Sequence, residues 1–136
     1  MSDIAADILV DVARKAALSA YSPYSKFRVG AAALFADSAE IYTGCNIENA
    51  SYSLTICAER VAICTAVSQN ARQLIKIAIA VVDEHGMPKK SFMPCGACLQ
   101  FMQEFGDWRI QPESSPVVIV DGAAPYLLKD LLPRPF

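Results

Sequence analysis

The sequence predicts an α/β domain, with helices layered on a mixed sheet. Three observations predict it. Apolar periodicity changes along the chain in the order helix, hairpin, helix, strand, helix, strand, helix. The stretch 75–82, Ile-Lys-Ile-Ala-Ile-Ala-Val-Val, is almost continuously apolar, as in a strand covered on both faces. The strands after the antiparallel hairpin are separated by helical stretches, and crossovers through helices join strands in parallel. The 136 residues contain no internal repeat, low-complexity tract or linker, so residues 1–136 are expected to form a single domain.

The first helix is read from Ile4, Ile8, Val12 and Ala16, apolar at every fourth residue. Asp3, Asp7, Asp11, Arg14 and Lys15 fill the other face, and Ser2 or Asp3 caps it. Tyr21 to Phe27 is a loop set off by Pro23. Residues 29–35 and 41–47 form the hairpin, turned at Asp37-Ser38-Ala39. Asn46 and Glu48 lie near the end of its second strand, where alternation points both to one side. An amide beside a carboxylate suits a pair of hydroxyls, as on a sugar; a solvated strand end is the plainer alternative.

Residues 49–55 link the hairpin to a second helix, 57–68. Its apolar side is Val61, Ile63, Cys64 and Val67, and Gln69-Asn70 end it. After the strand 75–82, a polar loop at 83–91 carries the only histidine, His85, which is expected to be solvated beside Asp83 and Glu84. Pro94 opens a third helix that runs to about Phe105, since proline is tolerated in a first turn. A loop at 112–116, a strand at 117–120 and a short helix at 126–132, ended by Pro133, complete the chain.

Chemistry concentrates in Cys57-Ala58-Glu59-Arg60 and Pro94-Cys95-Gly96-Ala97-Cys98. Three thiols supply soft metal ligands and leave a fourth place open. Structural zinc sites close that place with protein, whereas catalytic ones keep it for water. All three cysteines fall at helix N-termini, where the macrodipole favours thiolates. Three thiolates around one Zn²⁺ leave a net charge of about −1, which the dipoles and Arg60 offset in part. Glu59 is then placed to take a proton from water and deliver protons to a ring nitrogen and a leaving amine. That is hydrolytic attack at an amino-bearing ring carbon, with release of ammonia. A structural zinc closed by Cys45 is an alternative that leaves Glu59 without a role; a thioredoxin-like redox pair at Cys95 and Cys98 is another. Cys45 and Cys64 are otherwise read as packing residues.

Composition limits the partners. Hydrophobic residues make up 54% of the chain and its mean hydropathy is +0.29, rich for a small domain, so apolar surface covered by other subunits is expected. A net charge of −2 and a pI near 5.3 argue against a nucleic-acid-binding surface. The acidic N-terminus does not read as a signal peptide, and no stretch approaches the roughly 18 apolar residues of a membrane span. Five cysteines without a secretory signal read as reduced thiols or metal ligands in the cytoplasm.

The two motifs resemble the zinc nucleobase deaminase signature in its all-cysteine form, with Cys57 in the histidine position. Further similarity runs through Tyr24-Ser25-Lys26-Phe27, Val29-Gly30-Ala31-Ala32, Gly44-Cys45-Asn46-Ile47-Glu48-Asn49-Ala50, Tyr52 and Leu131-Leu132-Pro133. Over nearly its whole length the chain resembles the small homotetrameric cytidine deaminases. The resemblance implies a three-layer α/β/α sandwich with a mixed central sheet. It implies zinc-dependent deamination of cytidine and 2′-deoxycytidine in pyrimidine salvage, with one zinc per chain held by Cys57, Cys95 and Cys98, and Glu59 catalytic. Asn46 and Glu48 would hold the ribose, Phe27 would pack on the pyrimidine, and the backbone at Ala58 would recognise the base. Ala50 and Tyr52 would reach a neighbouring subunit's site, and Phe136 would stack on a substrate held by another protomer.

Two departures from that family stand out. Leu99 replaces the arginine usual after the second C-x-x-C cysteine, which removes a cation near the thiolates. It opens a second substrate reading, a modified or antibiotic aminopyrimidine nucleoside as in the blasticidin-S deaminases. The chain also stops at Phe136, where many relatives continue, and a terminal carboxylate beside that ring is expected to repel phosphorylated substrates. A non-catalytic zinc-stabilised module is the reading from a different class, and RNA editing is disfavoured by the acidic pI.

Overall fold

A computed structural model describes residues 4–106 and 112–136. Its elements are α1 (Ala6–Ala17), β1 (Arg28–Phe35), β2 (Ile41–Cys45), α2 (Ala58–Ser68), β3 (Leu74–Val82), β4 (Pro88–Lys89), α3 (Gly96–Phe105), β5 (Val117–Val120), β6 (Tyr126–Leu127) and α4 (Leu128–Leu131), with 3₁₀ turns at Tyr52–Leu54 and Pro112–Ser114. The sheet order is β2-β1-β3-β5-β6, and β4 pairs with the end of β3. β1 is antiparallel to both β2 and β3, whereas β3 and β5 are parallel and joined through α3. The mixed sheet is the one expected.

Strand alternation sorts the core into two layers. Ala32, Ala78, Ala80 and Ile119 face one side and meet Leu9, Val10 and Ala13 of α1. Ala31, Ala33, Phe35, Ile77, Ile79, Val118 and Val120 face the other and meet α2, α3 and Leu128 of α4. The result is a three-layer sandwich. β3 is buried along both faces, as its apolar run predicts. Arg14 ties the layers together: its Nε and Nη2 each donate to Asp121, just after β5, at 2.8 Å.

Several local expectations are corrected. The buried stripe of α1 is Leu9, Val10, Ala13 and Ala17, and Ile8 is 51% exposed. The surface opposite is mostly alanine, with Gly30 and Ile119, so small residues decide which side of the helix docks. A Cβ on Gly30 would lie 1.9 Å from the Ala13 carbonyl oxygen and 2.5 Å from the Ala17 nitrogen. Ser2 and Asp3, expected as caps, lie outside the described residues, and the N-cap is Ala5.

On α2 the buried residues are Ala58, Glu59, Ala62, Ile63 and Ala66, while Cys64 is exposed. Gly44 causes the same kind of close seating there, since its Cβ would meet the Ala62 nitrogen at 2.4 Å. β2 ends at Cys45, two residues early, and Ile47 forms bridges to Tyr21 and Ile56 instead. Pro94 precedes the N-cap Cys95 and lies outside the first turn of α3. The loop 83–91 contains β4 and folds around Asp83, whose Oδ1 accepts the His85 and Met87 amides; His85 itself is solvated. Tyr126 and Leu127 are extended before α4 because they pair with β5.

Candidate active site

Two helix N-termini converge here. Cys57 is the N-cap of α2, Cys95 is the N-cap of α3, and Cys98 lies in the first turn of α3. Their three sulfurs lie within 4.8 Å of one another, and among the described residues this is the one such cluster of potential metal ligands. Tetrahedral zinc with bonds of about 2.3 Å puts its sulfur ligands roughly 3.8 Å apart, so the three thiols fit that ion after small shifts. Cys45 stands outside the cluster, opposite Gly30 in the sheet, and burial pushes its thiol pKa up. A four-cysteine closed site is therefore not assembled.

The cluster is polarised before any metal is considered. Cys98 donates to Cys57, and with the Arg60 guanidinium this outweighs burial and holds the Cys57 pKa down to about 5. The same contact, with burial, pushes Cys98 up. Arg60 Nη2 lies 3.5 Å from the Cys57 sulfur, which raises the pKa of the guanidinium. Leu99 is buried among core residues with Met102 and Ile63, so position 99 brings packing where the resemblance expected a cation.

Glu59 is 5% exposed, and burial raises its pKa. It faces a cavity of about 240 Å³ that is also lined by Cys57, Cys95, Ala58, Asn46 and Phe92. A concave, largely apolar cavity with a few convergent polar groups is the usual form of a small-molecule site. Thr55, Phe92 and Met93 line it too and were missed in the sequence. Phe92 and Met93 could have been found from their place directly before Pro94-Cys95.

The other predicted residues divide. Asn46 is buried, with Oδ1 accepting the Val29 amide and Nδ2 donating to the Phe27 carbonyl, both at 2.9 Å. Glu48 does not line the cavity with it. Its Oε1 accepts the Tyr24 and Ser25 amides at 3.1 and 3.0 Å, and its Oε2 accepts the Ser25 hydroxyl. The strand ends before either residue, so simple alternation does not pair them. Glu48 instead lines an adjoining cleft with Tyr24, Ser25 and Tyr52, and Thr55 borders both spaces. The Phe27 ring stands at 90° to Phe92 with centroids 5.7 Å apart, and Lys89 Nζ is 5.7 Å from its centre. Ala50 and Tyr52 are exposed, Tyr52 by 77%. Phe136 is fully exposed, while its backbone amide and carbonyl are held by Gln100 at 2.9 and 3.4 Å.

Residues 5–112 match the family model for the cytidine and deoxycytidylate deaminase zinc-binding region. The chain belongs to this deaminase family. The matched residues contain Glu59 and all three clustered cysteines, which could hold the zinc for which that region is named. The chain is 43% identical to the cytidine deaminase of Mycobacterium tuberculosis, over 100% of this chain and 92% of that one. It is 50% identical to the cytidine deaminase of Sporosarcina psychrophila over 97 residues, 71% of this chain and 67% of that one. The crystal structure of cytidine deaminase from Burkholderia pseudomallei has a TM-score of 0.80 at 34% identity, covering 98% of this chain and 100% of that one. These matches agree with the sandwich fold and with an enzyme that deaminates by zinc-dependent hydrolysis.

Proposed function

We propose that this chain deaminates cytidine and 2′-deoxycytidine to uridine and 2′-deoxyuridine, releasing ammonia in pyrimidine salvage in the cytoplasm. The observation that carries the reading is a buried carboxyl, Glu59, beside three convergent thiols at a cavity of about 240 Å³. Cys57, Cys95 and Cys98 would hold zinc, which supplies a Lewis acid for activating water. Glu59 moves the protons: one from water to the ring nitrogen, the other to the departing amine. Its raised pKa suits a group that must hold each proton between transfers. The Cys98 contact, with Arg60, holds the Cys57 pKa down.

The base lies in the cavity against Phe27 and Phe92, and Ala58 heads α2, where a backbone N–H has no intrahelical partner. The ribose extends past Thr55 toward Glu48. Asn46 keeps one unused N–H, and Glu48 keeps one unused lone pair, on Oε2, for its hydroxyls. Ala50, Tyr52 and Phe136 project from the chain toward neighbours in a homotetramer whose sites are shared. No nucleic acid or membrane is needed. Leu99 favours one second reading, a modified aminopyrimidine nucleoside, because a buried leucine stands where the family resemblance placed a charge.

The test is ammonia release by zinc-loaded protein offered cytidine, deoxycytidine, cytosine and CMP in parallel. Turnover of the two nucleosides alone is expected. Glu59→Ala should abolish it with one zinc per chain retained. Retained turnover in that variant would sink the mechanism, and no turnover of any of the four by the zinc-loaded parent would move the substrate to modified pyrimidines.

A further inference from the structure

Asn46 and Glu48 bracket the backbone of one residue, Phe27. On one side, Asn46 Nδ2 donates to the Phe27 carbonyl at 2.9 Å. On the other, the Phe27 amide donates to Ser25 Oγ at 3.0 Å, and that hydroxyl donates to Glu48 Oε2. A serine hydroxyl has one hydrogen, here committed to the carboxylate, and such polarisation strengthens its oxygen as an acceptor for the Phe27 amide. Lys26, between the two residues, has φ 65, a left-handed conformation uncommon for a residue other than glycine. The Phe27 ring then meets Phe92, which lines the cavity containing Glu59. Ser25 belongs to the Tyr24-Ser25-Lys26-Phe27 motif, yet no contact with a nucleoside was assigned to it.

We propose that Ser25 is a positioning residue that joins the sugar cleft to the base cavity, passing the state of Glu48 to the Phe27 ring. This rests on the nucleoside reading above and adds to it that one hydrogen-bonded bracket holds both the hydroxyl acceptor of the cleft and the seat of the ring. A ribose hydroxyl donating to the one remaining lone pair of Glu48, on Oε2, leaves its bonds to Tyr24 and Ser25 in place, and the bracket stays closed. A free base offers no such hydroxyl and gains nothing from the bracket.

Ser25→Ala and Ser25→Thr are made alone and with Phe27→Ala, zinc-loaded, and assayed on cytidine. Separately, 4-fluorophenylalanine at position 27 reports the ring by ¹⁹F NMR without substrate. Ser25 lies on an exposed loop, so both variants should fold. Ser25→Ala should raise KM roughly tenfold with kcat within about twofold, the pattern of lost binding. Ser25→Thr should restore KM, and in the Phe27→Ala background Ser25→Ala should add less than about twofold. The fluorine resonance should shift in Ser25→Ala and return in Ser25→Thr. An unmoved KM, or a full KM penalty persisting without the Phe27 ring, would overturn the proposal. If the parent protein does not deaminate cytidine, the nucleoside reading fails; a shifted resonance then still supports the Ser25–Phe27 link, and an unmoved one overturns it.

Discussion

Glu48 and Glu59 are carboxylates of two adjoining spaces whose surroundings push them in opposite directions. Burial raises Glu59, so it is suited to carry a proton. For Glu48, desolvation is the largest single influence and acts upward, but the Ser25 hydroxyl, the Ser25 and Tyr24 amides and Lys26 together outweigh it, and the net pKa is lowered. A group whose pKa is lower folded than unfolded stabilises the fold above its unfolded value. That contribution is lost as pH falls through the folded value. The loop 24–27 should therefore stay closed at neutral pH and open only below the ordinary glutamate range of about 4.3. Titration of the Glu48 carboxyl by NMR, with amide exchange at Ser25 and Phe27, checks this. Glu48→Gln should remove the pH dependence, and a titration at or above the ordinary value would contradict it.

Among the elements, two glycines set how closely helices sit on the sheet, and they separate stability from chemistry. Gly30 faces α1, on the side of the sheet opposite α2 and α3, whereas a Cβ at Gly44 would press on the Ala62 nitrogen and, at 2.6 Å, on the Ala58 carbonyl beside Cys57. Gly30→Ala should cost about 3 kcal/mol by overpacking and keep its zinc affinity. Gly44→Ala should lose stability and zinc affinity together, because it displaces the start of α2. Urea midpoints at one fixed protein concentration and a zinc competition titration distinguish the two; equal zinc affinity in both variants would refute the assignment. The same glycines explain why the buried sides of α1 and α2 differ from those the apolar spacing predicts. Spacing located the helices, but alanine packing against glycine chose their buried sides.

For the whole molecule, the notable feature is apolar side chains left outside. Tyr52, Leu54, Ile56, Phe92 and Phe136 are exposed on the described chain, and Phe136 is pinned through its backbone so that its ring projects. In the proposed homotetramer this surface is covered by neighbouring chains. Light scattering after gel filtration should give the mass of four 14.7 kDa chains. A single-chain mass with full activity would refute shared sites. Among the described residues no helix is long and apolar enough to cross a membrane.

The metal cluster was legible in the sequence because its chemistry is carried by residue type and short spacing. Cys57, Glu59, Cys95 and Cys98 needed only two helix starts, and both helices are visible in apolar periodicity. The mixed sheet followed for the same reason, since a hairpin and helical crossovers are local patterns. Tertiary structure alone decided the rest. It turned Cys64 outward, ended β2 before Asn46, placed Glu48 in a separate cleft and brought Phe92 against Phe27. Each of these depends on contacts between segments distant in sequence, where close packing and hydrogen bonding override the local pattern.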